Sequence, residues 1–206
     1  MSSLSLLLTL AGCALCALLP YRQSSSLSEN HKTLAFLLFL SSCFIAAGSL
    51  AEWGIESSTT DAETAKRLFS NLKHYIAIPL ISSLILATSW HRFWSTAMWG
   101  RWVLALFALF ELMRRTDLGG HYALALGGAV TVALLVAFIR YKNNDVRLPG
   151  MLSALLIGAS TTVLDTTSLL PQMQNDLLNA LCLSSGLALV GLATGRIIRQ
   201  PQKNEL

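Results

Sequence analysis

The stretch Leu72–Trp90, LKHYIAIPLISSLILATSW, constrains this chain more than any other. Its middle is apolar for long enough to cross the roughly 30 Å hydrocarbon core of a bilayer as a helix. It opens on His74-Tyr75 and closes on Trp90-His91-Arg92. A segment this apolar has no hydrated face to offer, whereas a helix in lipid satisfies its own backbone polar groups. Gly120–Tyr141 repeats the arrangement, with His121-Tyr122 at its start.

Five further apolar runs accompany these two. The expected spans are 4–19, 33–53, 72–90, 99–113, 120–141, 149–170 and 177–198. Charged residues make up 13% of the chain and apolar ones 53%, where a soluble domain carries about a quarter charged residues. The expected fold is therefore all-α, a polytopic transmembrane helical bundle of seven spans. Residues 1–206 are expected to form a single integral membrane domain, with the tail RQPQKNEL too short for a catalytic or signalling domain. The net charge of +4 is spread through the loops and gives no reason to expect nucleic acid.

That spread reports orientation instead. Arg22, Lys32, Arg92, Arg101, Arg140, Lys142, Arg147, Arg196, Arg199 and Lys203 fall on one side. Lys66, Arg67, Lys73, Arg114 and Arg115 fall on the other. The positive-inside bias puts the richer side in the cytoplasm, so the N-terminus is outside and the C-terminus cytoplasmic. Short loops and the lack of an organelle-targeting segment point to a cell inner (plasma) membrane. The partners expected are the lipid bilayer itself and a membrane-protein partner or a second copy of the chain.

Local signals refine the spans. Pro20 should stop the first. Thr60-x-x-Glu63 has the spacing of a capping box, and Ala65, Leu68, Phe69, Leu72 and Ile76 recur at helical spacing. The third span should thus begin early, as an amphipathic turn or two on the membrane surface. Trp90, Trp94, Trp99 and Trp102 around Arg92 and Arg101 read as an interfacial aromatic belt. Gly119-x-x-x-Ala123-x-x-x-Gly127 and Gly191-x-x-x-Gly195 place small residues on one stripe, where helices approach closely in lipid. Cys13, Cys16, Cys43 and Cys182 all lie in apolar runs and behave first as small hydrophobes. Only the CxxC spacing of Cys13 and Cys16 raises a redox role.

With this topology the ionisable groups of the spans gather at the outer face. Glu52 closes the second span, His74 opens the third and Glu111 nears the end of the fourth. Arg114, Arg115 and Asp117 form the next turn, His121 opens the fifth span, and Asp165 sits inside the sixth. Intramembrane ionisable groups are expensive and face a cavity or a partner. A metal ion or haem would draw on His74, His121, Asp165 and Glu52, with Tyr75 and Tyr122 beside the histidines. The leading expectation is ligand or metal binding, or sensing, through this His/carboxylate rim.

Three other functions use the same residues. They are a small proton- or solute-coupled carrier with Asp165 and Glu52 titrating, a metal-dependent membrane hydrolase, and a non-catalytic subunit of a larger complex. Against all of these stands mutual satisfaction, in which Glu111 pairs with Arg115 at i,i+4 and Asp117 caps a helix. The His-Tyr mouths resemble those of the MHYT sensor domains in that dipeptide, but Lys73 and Gly120 stand where that family has methionine. Seven spans with His and Asp resemble the alkaline-ceramidase-like hydrolases, whose paired histidines are missing from Leu177–Ile198. A retinal protein would need a lysine there, and none is present. No family follows from these residues.

Overall fold

The computed structural model describes residues 2–24, 29–56, 59–92, 94–115, 119–164 and 175–199, with backbone alone at 23–24, 29–30, 114 and 119–120. The described residues contain helices and turns and no strand. Seven continuous helices follow one another: α1 (Ser3–Ser24), α2 (Glu29–Gly54), α3 (Thr60–Ser89), α4 (Thr96–Arg115), α5 (Gly119–Ile139), α6 (Asn144–Thr162) and α7 (Asp176–Arg199). All but α6 are long and apolar enough to cross a membrane, six candidate spans in all, which is consistent with a helical membrane bundle. α6 carries Asp145 and Arg147 in its first turns, and the rest of the expected span 149–170 runs into residues outside those described.

Several boundaries differ from the sequence expectation, each for a local reason. α1 passes through Pro20 and ends at Ser24, four residues beyond the expected stop. α3 begins with Thr59 as its N-cap, whose hydroxyl accepts from the Ala62 N–H at 3.2 Å. The Thr60–Glu63 capping box is thus not formed, and Glu63 pairs with Arg67 one turn on. α6 starts at Asn144, because the Asn143 side chain accepts from the Asp145 N–H at 3.0 Å. Pro149 lies inside that helix and removes the donor for the Asp145 carbonyl; the Arg196 guanidinium of α7 takes its place.

The amphipathic opening of α3 is no separate surface turn. It continues through a π-turn, Leu72–Ala77, into the apolar half Ile78–Ser89. Pro79 supplies the reason. It has no N–H for the Tyr75 carbonyl and its ring crowds that carbonyl, which weakens the regular helical ladder here. The wider turn relieves the crowding, and the Ile78 N–H donates to Lys73, five residues back. At its far end α3 closes with His91 at φ 54°, in the left-handed region. The Arg92 and His91 N–H groups return to the Ala87 and Thr88 carbonyls at 2.9 and 3.0 Å.

Six helices form a ring. α1 packs on α2, α2 on α3, α3 on α5, α5 on α6, α6 on α7, and α7 closes back on α1. The core between them holds Leu38, Ile45, Leu80, Ile81, Leu134, Phe138, Ile157 and Leu187, all fully buried. Ring closure depends on backbone approach: a Cβ on Gly12 would stand 2.6 Å from the Ser184 backbone, and one on Gly191 would stand 2.7 Å from the Cys16 Cα. Gly127 likewise sits against Thr161 and Thr162. The small-residue stripes therefore lie at helix contacts in two of the expected places, and Gly12 adds one the spacing did not suggest.

α4 stands outside the ring. Only 11% of its apolar stretch is buried, against 67% for α3, and it touches mainly the π-turn and α5. Its base is the tryptophan belt, where Trp94 meets Trp99 and Trp102 at ring distances of 4.9 and 6.2 Å. The Trp102 indole N–H donates to the Ser83 hydroxyl of α3 at 3.1 Å. Replacing Trp102 with Phe should lower stability by about 1 kcal/mol and raise amide exchange along α4 while α3 stays protected. Unchanged exchange in α4 would show that the indole bond does not hold it.

Candidate polar site between α2 and α3

Burying an ammonium and a carboxylate together requires a route for the lysine stem and hydrogen bonds for the spare oxygens. The α2–α3 contact supplies both. Gly48 on α2 lacks the side chain that would meet the Lys73 Cβ at 2.7 Å, so the lysine stem lies across it. The Lys73 Nζ reaches Glu52 Oε2 at 3.0 Å, and the Ser70 hydroxyl donates to Oε1 at 2.9 Å. His74 Nε2 lies 3.9 Å from the same Oε1. Side-chain exposure is 8% for Lys73 and 21% for Glu52, so the pair is largely withdrawn from solvent.

The π-turn decides which residues meet there. It carries Lys73, His74 and Tyr75 in one irregular loop of helix. Lys73 and His74 turn toward Glu52, while Tyr75 stacks on Phe110 of α4 at 4.4 Å and on Tyr122 of α5 at 5.7 Å. Next to His74 lies a cavity of about 20 Å3, bordered by Tyr75, Ile78, Gly127 and Thr161. That is room for one water molecule. The Tyr122 hydroxyl is buried without a hydrogen-bond partner among the described residues.

The expected rim residues thus divide into groups. Glu52 and His74 come together, and Tyr75 meets Tyr122. Glu111 and Arg115 pair with each other at 3.1 Å, as i,i+4 neighbours on α4. His121 is exposed on the first turn of α5. Asp117 and Asp165 lie outside the described residues, as does the side chain of Arg114. Among the described residues no three of His, Cys, Asp and Glu are grouped to hold a metal ion. Cys13 and Cys16 are both buried free thiols.

The sequence reading missed Lys73 and Ser70 as site residues. Lys73 entered only in the charge division and as the residue before His74-Tyr75, although it follows Glu52 in the next helix and precedes an apolar run that admits no other charge. That isolation was the available signal. Compared with known protein families, with curated proteins and with solved structures, the chain matches none of them.

Proposed function

We propose that this is a multi-pass protein of a cell inner membrane that binds or senses a cation at the outer end of its bundle. In this reading α6 completes a seventh span, the N-terminus is outside and the C-terminus is cytoplasmic. The ten-to-five division of Lys and Arg supports that orientation, and the place of α6 within the helix ring supports the seventh span. One observation carries the functional reading: a charged pair withdrawn from solvent on a π-turn, with an imidazole beside it. Such turns are frequent at functional sites, and ionisable groups inside spans are functional by default.

The pair also supports a cation as the ligand. Glu52 is matched by the Lys73 ammonium, so only another positive charge can take the carboxylate, with His74 as a second donor. Displacing Lys73 would free the π-turn and give binding a conformational readout. His121 and Asp165 belong to the proposal as further donors. Elemental analysis and a visible spectrum of detergent-purified protein come first. A stoichiometric metal or haem band, lost in His74→Ala/His121→Ala with the fold intact, is the expected result for a metal form. A panel of divalent cations and small amines should raise the melting temperature of the native chain and leave Glu52→Gln unmoved. If nothing in the panel shifts the native protein, the cation reading fails.

The water-sized cavity running from His74 to Thr161 favours a second reading, a proton-coupled carrier with His74 as relay. It predicts that Asp165→Asn abolishes solute uptake into vesicles without changing metal content. Uptake equal to that of the native chain would dismiss it.

A further inference from the structure

The face of α3 turned away from Glu52 borders a second and larger space. Because α4 stands off the ring, a groove of about 740 Å3 remains between the two helices. Its volume lies within the range of small-molecule pockets, about 300–1,000 Å3. The wall residues are zoned along its length. Thr64, Arg67 and Asn71 of α3 and Glu111 of α4 put polar groups at one end, with Leu68 and Phe110 among them. Leu72 and Ile76 of α3 face Phe107 and Ala108 of α4 at the other. From Thr64 to Ile76 is twelve residues of sequence, about 18 Å at helical rise.

We propose that this groove holds one phospholipid with a zwitterionic, amine-bearing headgroup, its acyl chain lying between α3 and α4. The apolar end would take the chain, and the polar end presents one charge of each sign. Arg67 fits a phosphate and Glu111 fits an ammonium. Both side chains already sit in i,i+4 pairs, Arg67 with Glu63 and Glu111 with Arg115. Pairs of this exposed kind are weak, so a headgroup can replace or bridge them with little loss. A purely anionic lipid would meet Glu63 and Glu111, and a second protein helix would leave the polar end unmatched. This site is separate from the Glu52 cluster and does not depend on it.

The test uses full-length protein reconstituted in vesicles of equal parts phosphatidylethanolamine and phosphatidylglycerol, extracted into detergent and weighed intact by native mass spectrometry. One retained phosphatidylethanolamine per chain, enriched over phosphatidylglycerol, is expected. Arg67→Gln should lower that retention about tenfold, the worth of one charge-assisted hydrogen bond. Glu111→Gln should shift preference toward phosphatidylglycerol, and Ala108→Trp should reduce retention of both lipids by filling the groove. Elution as a single symmetrical peak checks that each variant is folded, and the Trp variant tests the groove without touching a charge. Equal retention of the two lipids, retention unchanged in all three variants, or a lipid-free dimer would each overturn the proposal.

Discussion

Replacing Lys73 with Met should destabilise the bundle by on the order of 3 kcal/mol, because Glu52 is then left charged and without its ammonium partner in a largely desolvated site. The Met side chain fills nearly the same volume across Gly48, so packing alone does not account for a loss of that size. Glu52→Gln should be milder, since Lys73 has a flexible stem and can carry its charge toward the interface. The double variant Lys73→Met/Glu52→Gln should return to within about 1 kcal/mol of the native chain, as neutral replacements of buried pairs do. Thermal or denaturant unfolding in detergent micelles completes the cycle. Additive losses in the double variant would show that the 3.0 Å pair does not couple the helices.

The same double variant separates structure from function. It should fold like the native protein and yet show no response to cations, because the carboxylate that receives them is gone. A folded double variant that still responds would move the binding site away from Glu52. His74→Ala should weaken the response, since its imidazole stands 3.9 Å from Glu52.

The second large effect is expected at the closure of the ring. Gly191→Val should cost about 3 kcal/mol or prevent folding, since its Cβ would stand 2.7 Å from both the Cys16 Cα and the Leu15 carbonyl oxygen. These are backbone atoms of α1, and no side-chain rotation relieves them. Gly12→Val should act alike from the opposite side, against the Ser184 backbone. Gly128→Ala is the control: nothing lies within 4 Å of the added Cβ, and the helix gains up to about 1 kcal/mol from the better helix former. Disulfide trapping of α1 against α7 before and after Gly191→Val would report the separation directly. Efficient trapping in the variant would show that the helices re-pack around the new side chain.

Composition and period determined much of this molecule. Seven apolar runs correspond to seven helices among the described residues, six of them long and apolar enough to cross a membrane, as expected where a helix satisfies its own backbone in lipid. The tryptophan belt, the Glu111–Arg115 pair and the close contacts at Gly127 and Gly191 follow from short-range spacing, and the structure has them. Helix ends were less legible. Pro20 and Pro149 read as boundaries, yet each sits inside a helix; at Pro149 the carbonyl left without a donor finds Arg196, fifty-one residues away in the chain.

The candidate site belonged to the tertiary structure. Periodicity cannot show that Lys73 turns inward over Gly48, because the π-turn ahead of Pro79 changes the angular order of every residue before it relative to those after it. Nor can it show that α4 stands apart, since its apolar run looks like the other spans and only packing reveals how little of it the ring covers. Few charges and a helical period were enough to expect an all-helical chain whose long apolar helices suit a membrane. Which charges meet inside the bundle, and where a groove is left open, depended on one π-turn, one glycine and the way a ring of six helices closes without the seventh.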